Sequence, residues 1–355
     1  MTPTPLLKVS HLSVNYLNRN SDIVSALNDI SFSLEHKQCL GIIGESGSGK
    51  SVTLLSLLGL MNTAPGITNG TIEFTQDNNT INLLEKIDTY PLKNISSSSS
   101  IIQRQFKRRK EQLDKNYQTI RGKQISIIFQ NPKLAFNPFY SIGHQICEMI
   151  RLHTDISAKK KVIEKALFWL EKVGMDDPES RFHNNPYGLS GGLCQRAMIA
   201  MALASEPSLL IADEPTTGLD TILQSNILNL LHDLQQELNL SMIIVSHDLK
   251  VIQALCSNVL VYHSGMIIEK GATNCVLSSS ENKHPYTRQL IQCDLNNVCL
   301  AGDIIKQHIN NSGCPYYNNC DEITSRINQT CSKRTPSLNN LDNEHAIRCW
   351  KYHDN

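Results

Sequence analysis

Apolar and polar positions alternate over residues 6–16 and 26–34, which fits half-buried strands and places them at the start of a mixed sheet. The pattern then changes to short unbroken apolar runs at 39–43, 125–129, 209–212, 242–245 and 259–262. Runs of that kind, separated by helical patterns, predict parallel strands covered on both faces. The first run enters a glycine-rich turn and then an apolar helix over 50–61. Val162, Ala166, Trp169, Leu170 and Val173 recur at helical spacing and stop at Gly174, and Leu223, Ile227, Leu230, Leu231 and Leu234 form a second stripe. Both stripes read as core faces.

Between 78 and 120 the composition shifts. Five serines, Ser96 to Ser100, precede Arg104, Lys107, Arg108, Arg109 and Lys110. This predicts a polar insertion, flexible at the serines and helical at the basic run, whose charges read as a solvated face, with a membrane-surface or RNA contact as the alternative, weakened by the lack of interleaved aromatic residues beyond Phe106. The 355 residues exceed a usual single domain, and 40% hydrophobic content permits a sizeable core. With 33 basic against 33 acidic residues, no overall field draws the chain to nucleic acid or an anionic membrane. The longest uncharged stretch, 51–72, is interrupted by Asn62, Pro65, Gly66 and Asn69, so no membrane-spanning helix is expected. The first ten residues lack the pattern of a secretory signal, so the expected compartment is the cytosol, with the eleven cysteines reduced or metal-bound.

Gly44-Glu45-Ser46-Gly47-Ser48-Gly49-Lys50-Ser51 matches G-x-x-x-x-G-K-[ST] between a predicted strand and a predicted helix. Glycines let successive N–H groups point inward, and the helix start adds partial positive charge, which together make a cradle for phosphate. Lys50 would neutralise terminal phosphates and the Ser51 hydroxyl would ligate Mg2+. A plain glycine turn needs neither. The apolar run 209–212 ends in Asp213 and Glu214. Asp213 suits the magnesium shell, and Glu214, on the other side of an extended chain, suits activation of the attacking water.

Leu189-Ser190-Gly191-Gly192-Leu193-Cys194-Gln195-Arg196 resembles the signature motif of ABC-transporter ATPases. Further motifs follow the family's order: Tyr16 at the adenine-stacking position, Gln130 in the Q-loop, Asp220 in the D-loop after Thr217-Gly218-Leu219, and His247 as the switch histidine. Each has a plain physical reading as well. Tyr16 can stack on a purine or simply pack on its strand. The Gln130 amide can reach metal or water, and His247 can donate to a terminal phosphate. The chain is most similar to the ATP-binding subunits of oligopeptide and dipeptide importers, through Val52 after the loop, Ile211-Ala212-Asp213-Glu214-Pro215-Thr216-Thr217, and His284-Pro285-Tyr286-Thr287 near the C-terminus.

The resemblance implies an α/β P-loop NTPase (RecA-like) core with a mixed β-sheet, an antiparallel β subdomain, an α-helical signature subdomain and an irregular C-terminal extension. It divides the chain into an ATPase domain, 1–270, holding a helical subdomain near 134–194, and an extension, 271–355. It implies ATP and Mg2+ as ligands, with Gly44 to Val52 and Tyr16 binding ATP, Ser51, Gln130 and Asp213 holding magnesium, and Lys50, Gln130, Glu214 and His247 in catalysis. Ser190, Gly191 and Gly192 would complete the site of a second ATPase subunit, homologous or identical. Two permease subunits and an extracytoplasmic peptide-binding protein are the remaining implied partners, and the chain would sit on the cytoplasmic face of the inner membrane. The motor of a nickel or other small-solute importer, or a soluble ABC ATPase, are the alternatives.

Six cysteines, Cys293, Cys299, Cys314, Cys320, Cys331 and Cys349, crowd the last part of the chain. The C-x2-C pairs of a zinc module are missing. In importers of this type a similar tail is associated with an iron–sulfur cluster, so the resemblance implies a [4Fe-4S] site at Cys314, Cys320, Cys331 and Cys349. His345 is a competing ligand, and unligated thiols are the alternative.

Overall fold

The computed structural model describes residues 4–18, 22–76, 79–87, 99–278, 282–296, 313–325, 327–342 and 344–353. The chain divides into two units, one formed by Met1–Glu35, Leu40–Asn116 and Ser246–Asn355, the other by His36–Cys39 and Tyr117–Val245.

The first unit opens with strands β1 (Leu7–Leu17), β2 (Ile23–Leu34), β3 (Cys39–Ile43), β4 (Pro65–Gln76) and β5 (Asn79–Asn82), and with helices α1 (Lys50–Leu57) and α2 (Ser99–Tyr117). Strands β1 and β2 are half-buried, as their alternation predicts. They do not start a mixed sheet. They form a separate antiparallel sheet in the order β2-β1-β4-β5, with Val9 opposite Phe32 on one side and Ile72 on the other. Alternation shows that one face is buried but does not name the partner strand.

The insertion is built into this unit. β5 pairs antiparallel with β4, and Leu83, Leu84 and Leu113 are buried. Ser96, Ser97 and Ser98 lie outside the described residues, while the basic run is helical as expected. Its charges divide. Lys107 and Arg108 are exposed, but Arg109 donates to the carbonyls of Pro65 and Ile67, and Lys110 Nζ to Asn62 Oδ1 at 2.6 Å. Two members of the predicted solvated face are thus anchors for β4 and the segment before it.

The second unit carries three parallel strands, β6 (Ile125–Ile128), β7 (Leu209–Asp213) and β8 (Ser241–Val245), with β7 central. Its helices are α3 (Pro132–Ala135), α4 (Ile142–His153), α5 (Lys159–Lys172), α6 (Pro178–His183), α7 (Gly191–Leu203) and α8 (Thr221–Leu238). The α5 stripe is buried in full, including Trp169. In α8, Ile227, Leu231 and Leu234 are buried while Leu223 and Leu230 are half-covered.

The first unit resumes with α9 (Leu249–Leu255), β9 (Asn258–His263), β10 (Met266–Ala272), α10 (Thr273–Val276), α11 (Pro285–Asn296), α12 (Asn328–Lys333), β11 (Asn339–Asn340) and β12 (His345–Ile347). Strand β9 runs parallel to β3, and β10, β12 and β11 continue antiparallel beyond it. The C-terminal segment thereby adds two strands to the sheet that contains β3, the strand preceding the glycine loop. Among the described residues no helix is long and apolar enough to cross a membrane.

Candidate functional site

The glycine loop lies between β3, buried at every position, and α1. Gly44 has φ 145 and Gly49 φ 107. A Cβ on Gly44 would meet the Tyr262 carbonyl oxygen at 2.3 Å, and one on Gly49 would meet Leu27 Cδ2 at 2.7 Å, so both positions demand glycine by conformation and by space. No side chain caps the start of α1. Lys50 is buried and its Nζ folds back to the carbonyls of Gly44, at 2.6 Å, and Glu45, at 2.8 Å. Among the described residues the buried Ser48 Oγ finds no hydrogen-bond partner. An uncapped helix start, a buried cation held by carbonyls and an unsatisfied hydroxyl suit an anion with many acceptor oxygens. Ser46, Gly47 and Ser51 are exposed, and Val52 is half-buried.

Two other expected residues belong to the same unit. Tyr16, on β1 opposite Val24 and Pro65, is 37% exposed, which leaves its ring available for stacking. His247 is exposed after β8, and the next residue, Asp248, caps α9 by accepting from Lys250 N at 2.9 Å.

The second unit gathers another group. Glu214 follows β7 with φ 48, a left-handed backbone, so the chain is not extended there as the sequence suggests. Its N–H donates to the Val245 carbonyl at 2.9 Å. Its carboxylate accepts from Gln130 Nε2 at 2.7 Å and from Thr217 Oγ1 at 3.0 Å. The structure therefore brings Gln130 to Glu214 and adds Thr217, whose place in the D-loop motif gives no sign of this contact. Asp213 ends β7 half-buried. Ser190 caps α7, accepting from Leu193 N at 3.3 Å, with Gly191 exposed and Gly192 buried in the first turn. Asp220 caps α8, accepting from Ile222 N at 3.1 Å and Leu223 N at 3.0 Å.

In the extension, Cys314, Cys320, Cys331 and Cys349 line one cavity together with Tyr316 and Glu322. The Cys314 N–H donates to the Cys331 carbonyl at 2.7 Å. Burial, then repulsion among the thiols, pushes Cys314 up to about 12 and Cys349 up to about 11. Glu322 is paired with Arg288 and Lys351. His345 lies elsewhere, its Nε2 on Glu269 Oε1 at 2.7 Å, and is not in the cavity wall. Among the described residues no three His, Cys, Asp or Glu side chains are gathered closely enough for a single metal ion.

His284 and His263 are buried, and desolvation lowers them to about 3 and about 4 from 6.5. His284 Nδ1 accepts from Tyr286 N at 3.1 Å, which requires it unprotonated. Both histidines bind protons more readily in the unfolded chain, so their contribution is complete above pH 6.5 and is lost as pH falls toward their folded values. Urea midpoints should therefore drop between pH 7 and pH 5, and a His284→Asn chain should lose less over that interval. Equal losses in both chains would contradict this assignment.

The ABC transporter family profile matches residues 27–217, more than half of the chain, and the chain belongs to that family. Within it, the dipeptide transport ATP-binding protein DppD of Escherichia coli is 32% identical over 351 residues, covering 97% of this chain and 96% of its own length. The oligopeptide transport ATP-binding protein OppD of Bacillus subtilis is 37% identical over 292 residues, 81% of this chain and 71% of its own. Among solved structures, cbiO1 from Clostridium perfringens, part of the ABC transporter complex cbiONQ, gives a TM-score of 0.57 at 25% identity, covering 78% of this chain and 92% of its own. The dimeric ATP-binding cassette MJ0796 bound to ADP and Pi gives 0.57 at 22%, covering 75% and 98%. The α/β architecture, with its mixed and antiparallel sheets and helices, is that of the P-loop NTPases.

Proposed function

We propose that the chain is the ATP-binding and hydrolysing motor subunit of a peptide importer of the ABC type. The observation that carries the proposal is the loop 44–51, whose glycine geometry, buried Lys50 and unsatisfied Ser48 hydroxyl suit a nucleotide's phosphates. The peptide assignment is supported by relatives such as DppD, whose likeness runs through the C-terminal extension as well as the cassette.

In this reading Tyr16 stacks on adenine, and residues 44–52 wrap the phosphates. Lys50 turns from its own loop carbonyls to the terminal phosphates. Ser51, Asp213 and Gln130 would hold magnesium, which would neutralise charge on the phosphates. Glu214 takes a proton from the attacking water, and His247 donates to the phosphoryl group as charge accumulates on its oxygens. Ser190, Gly191 and Gly192, at a capped helix start, offer N–H groups to the nucleotide of a second ATPase subunit. Asp220 serves the same junction from the start of α8. Residues 1–270 form the ATPase domain and 271–355 the extension. Closure of the pair drives two permease subunits at the cytoplasmic face of the membrane, to which a separate binding protein brings the peptide.

The cysteine cavity is proposed to hold a [4Fe-4S] cluster on Cys314, Cys320, Cys331 and Cys349. Thiols close enough to raise one another's pKa repel as thiolates, and a cationic group among them turns that repulsion into ligation. Four cysteines in the wall of one cavity supply the number of thiolates such a cluster takes. Such a group cross-links four points of a segment with little core of its own.

Affinity purification from membranes under anaerobic conditions tests both parts. The expected result is co-purification of two permease subunits and a related ATPase, with about four irons per chain. Recovery of ribosomes or DNA-repair factors would overturn the transport assignment, and a colourless chain without iron would overturn the cluster.

A further inference from the structure

The His284-Pro285-Tyr286-Thr287 motif has no part in the nucleotide chemistry above, yet the fold carries it to the glycine loop. Tyr286 Oη accepts the Glu45 N–H at 3.0 Å across 241 residues of chain. The Glu45 carboxylate lies near the same hydroxyl and near Lys50. Glu45 is therefore held twice: its N–H by Tyr286, and its carbonyl by Lys50.

Tyr286 is itself fully buried in a cluster of rings. Its centroid lies 4.5 Å from His263 and 5.6 Å from Tyr316, and Tyr316 lies 5.4 Å from His263 and 5.6 Å from His284. The Tyr316 hydroxyl donates to Gln289 Oε1, and its ring lines the cavity of the four cysteines. The rings thus form a continuous packed path from that cavity to the second residue of the loop.

We infer that Tyr286 is a positioning residue for the nucleotide loop, held in register by Tyr316 and the cysteine-lined end of the extension. The inference rests on reading 44–51 as the nucleotide site. When Lys50 leaves the Gly44 and Glu45 carbonyls for a phosphate, the loop loses one of its two grips on Glu45. The Tyr286 hydroxyl keeps the other, so the amides of the cradle stay aimed as the cation moves. A hydroxyl that merely satisfied a buried N–H would affect folding stability but not the affinity of folded protein for nucleotide.

The test compares the full-length wild type with Tyr286→Phe, Tyr316→Ala and Tyr316→Phe by equilibrium binding of Mg-ATP, steady-state hydrolysis and thermal midpoint. Tyr286→Phe keeps the ring and removes the hydroxyl. It is expected to weaken ATP binding about five- to thirtyfold, as a rise in KM with kcat changed less than about threefold. Tyr316→Ala should weaken binding in the same direction, and Tyr316→Phe should restore most of it, because that position contributes a ring. Wild-type affinity in Tyr286→Phe, whatever its thermal midpoint, overturns the inference and leaves the nucleotide site standing. Equal affinities in the two Tyr316 variants overturn the buttress, independently of how Tyr286→Phe folds. A wild-type chain that binds no ATP overturns the nucleotide-site reading and this inference with it.

Discussion

Glu214→Gln is expected to lower ATP turnover at least about a thousandfold, roughly 4 kcal/mol of barrier, while ATP still binds. The substitution keeps the size of the side chain and an oxygen able to accept from Gln130 Nε2 or Thr217 Oγ1, the two donors now on the carboxylate. It removes the group that can take a proton from water. Glu214 also sits in a left-handed backbone, a conformation that costs an ordinary residue of order 1 kcal/mol or more and that fixes where the carboxylate emerges from β7. Hydrolysis and nucleotide affinity measured on the same preparation decide the matter. Unchanged turnover would remove Glu214 from the chemistry, whereas joint loss of binding and turnover would make it a structural residue.

The second large effect is expected at Lys50. Lys50→Met keeps much of the apolar stem and removes the ammonium group, leaving the Gly44 and Glu45 carbonyls without the donor they now share. Charge-assisted hydrogen bonds are worth about 1.5–3 kcal/mol each. Mg-ATP affinity should therefore fall at least about a hundredfold, close to 3 kcal/mol. A titration of the folded variant that matches the wild type would show that the cation does not face the phosphates.

The loop was legible because its requirements are chemical and local. Gly44 and Gly49 stand where a Cβ would strike Tyr262 or Leu27, and Lys50 and Ser51 have no place in an ordinary turn. The α5 stripe was legible because burial repeats at helical spacing, and Trp169 lies where that spacing puts it. Ser190 and Asp220 fall at helix starts, where their side chains cap the first turn, so local chemistry and family position coincide.

Long-range pairing was not legible. The alternation in β1 and β2 announces a half-buried face, but the antiparallel sheet depends on β4 and on β5 from within the insertion. Arg109 reads as one charge in a basic run, and its two carbonyl acceptors lie more than forty residues earlier in the chain. The left-handed turn at Glu214 leaves no sign in composition, because glutamate has no preference for that backbone. Tyr286 shows the same limit at its greatest distance. The motif is plain in the sequence, while its hydrogen bond to Glu45 arises from how β9, α11 and the loop come together.

The central claim is that residues 44–51 grip a nucleotide's phosphates. Calorimetric titration of the purified wild-type chain with Mg-ATP, alone and beside its companion ATPase, tests it most directly. The account predicts saturable binding of one ATP per chain, dependent on magnesium and weakened at least about a hundredfold in Lys50→Met. Absence of saturable binding at millimolar ATP, with the companion present, would contradict it.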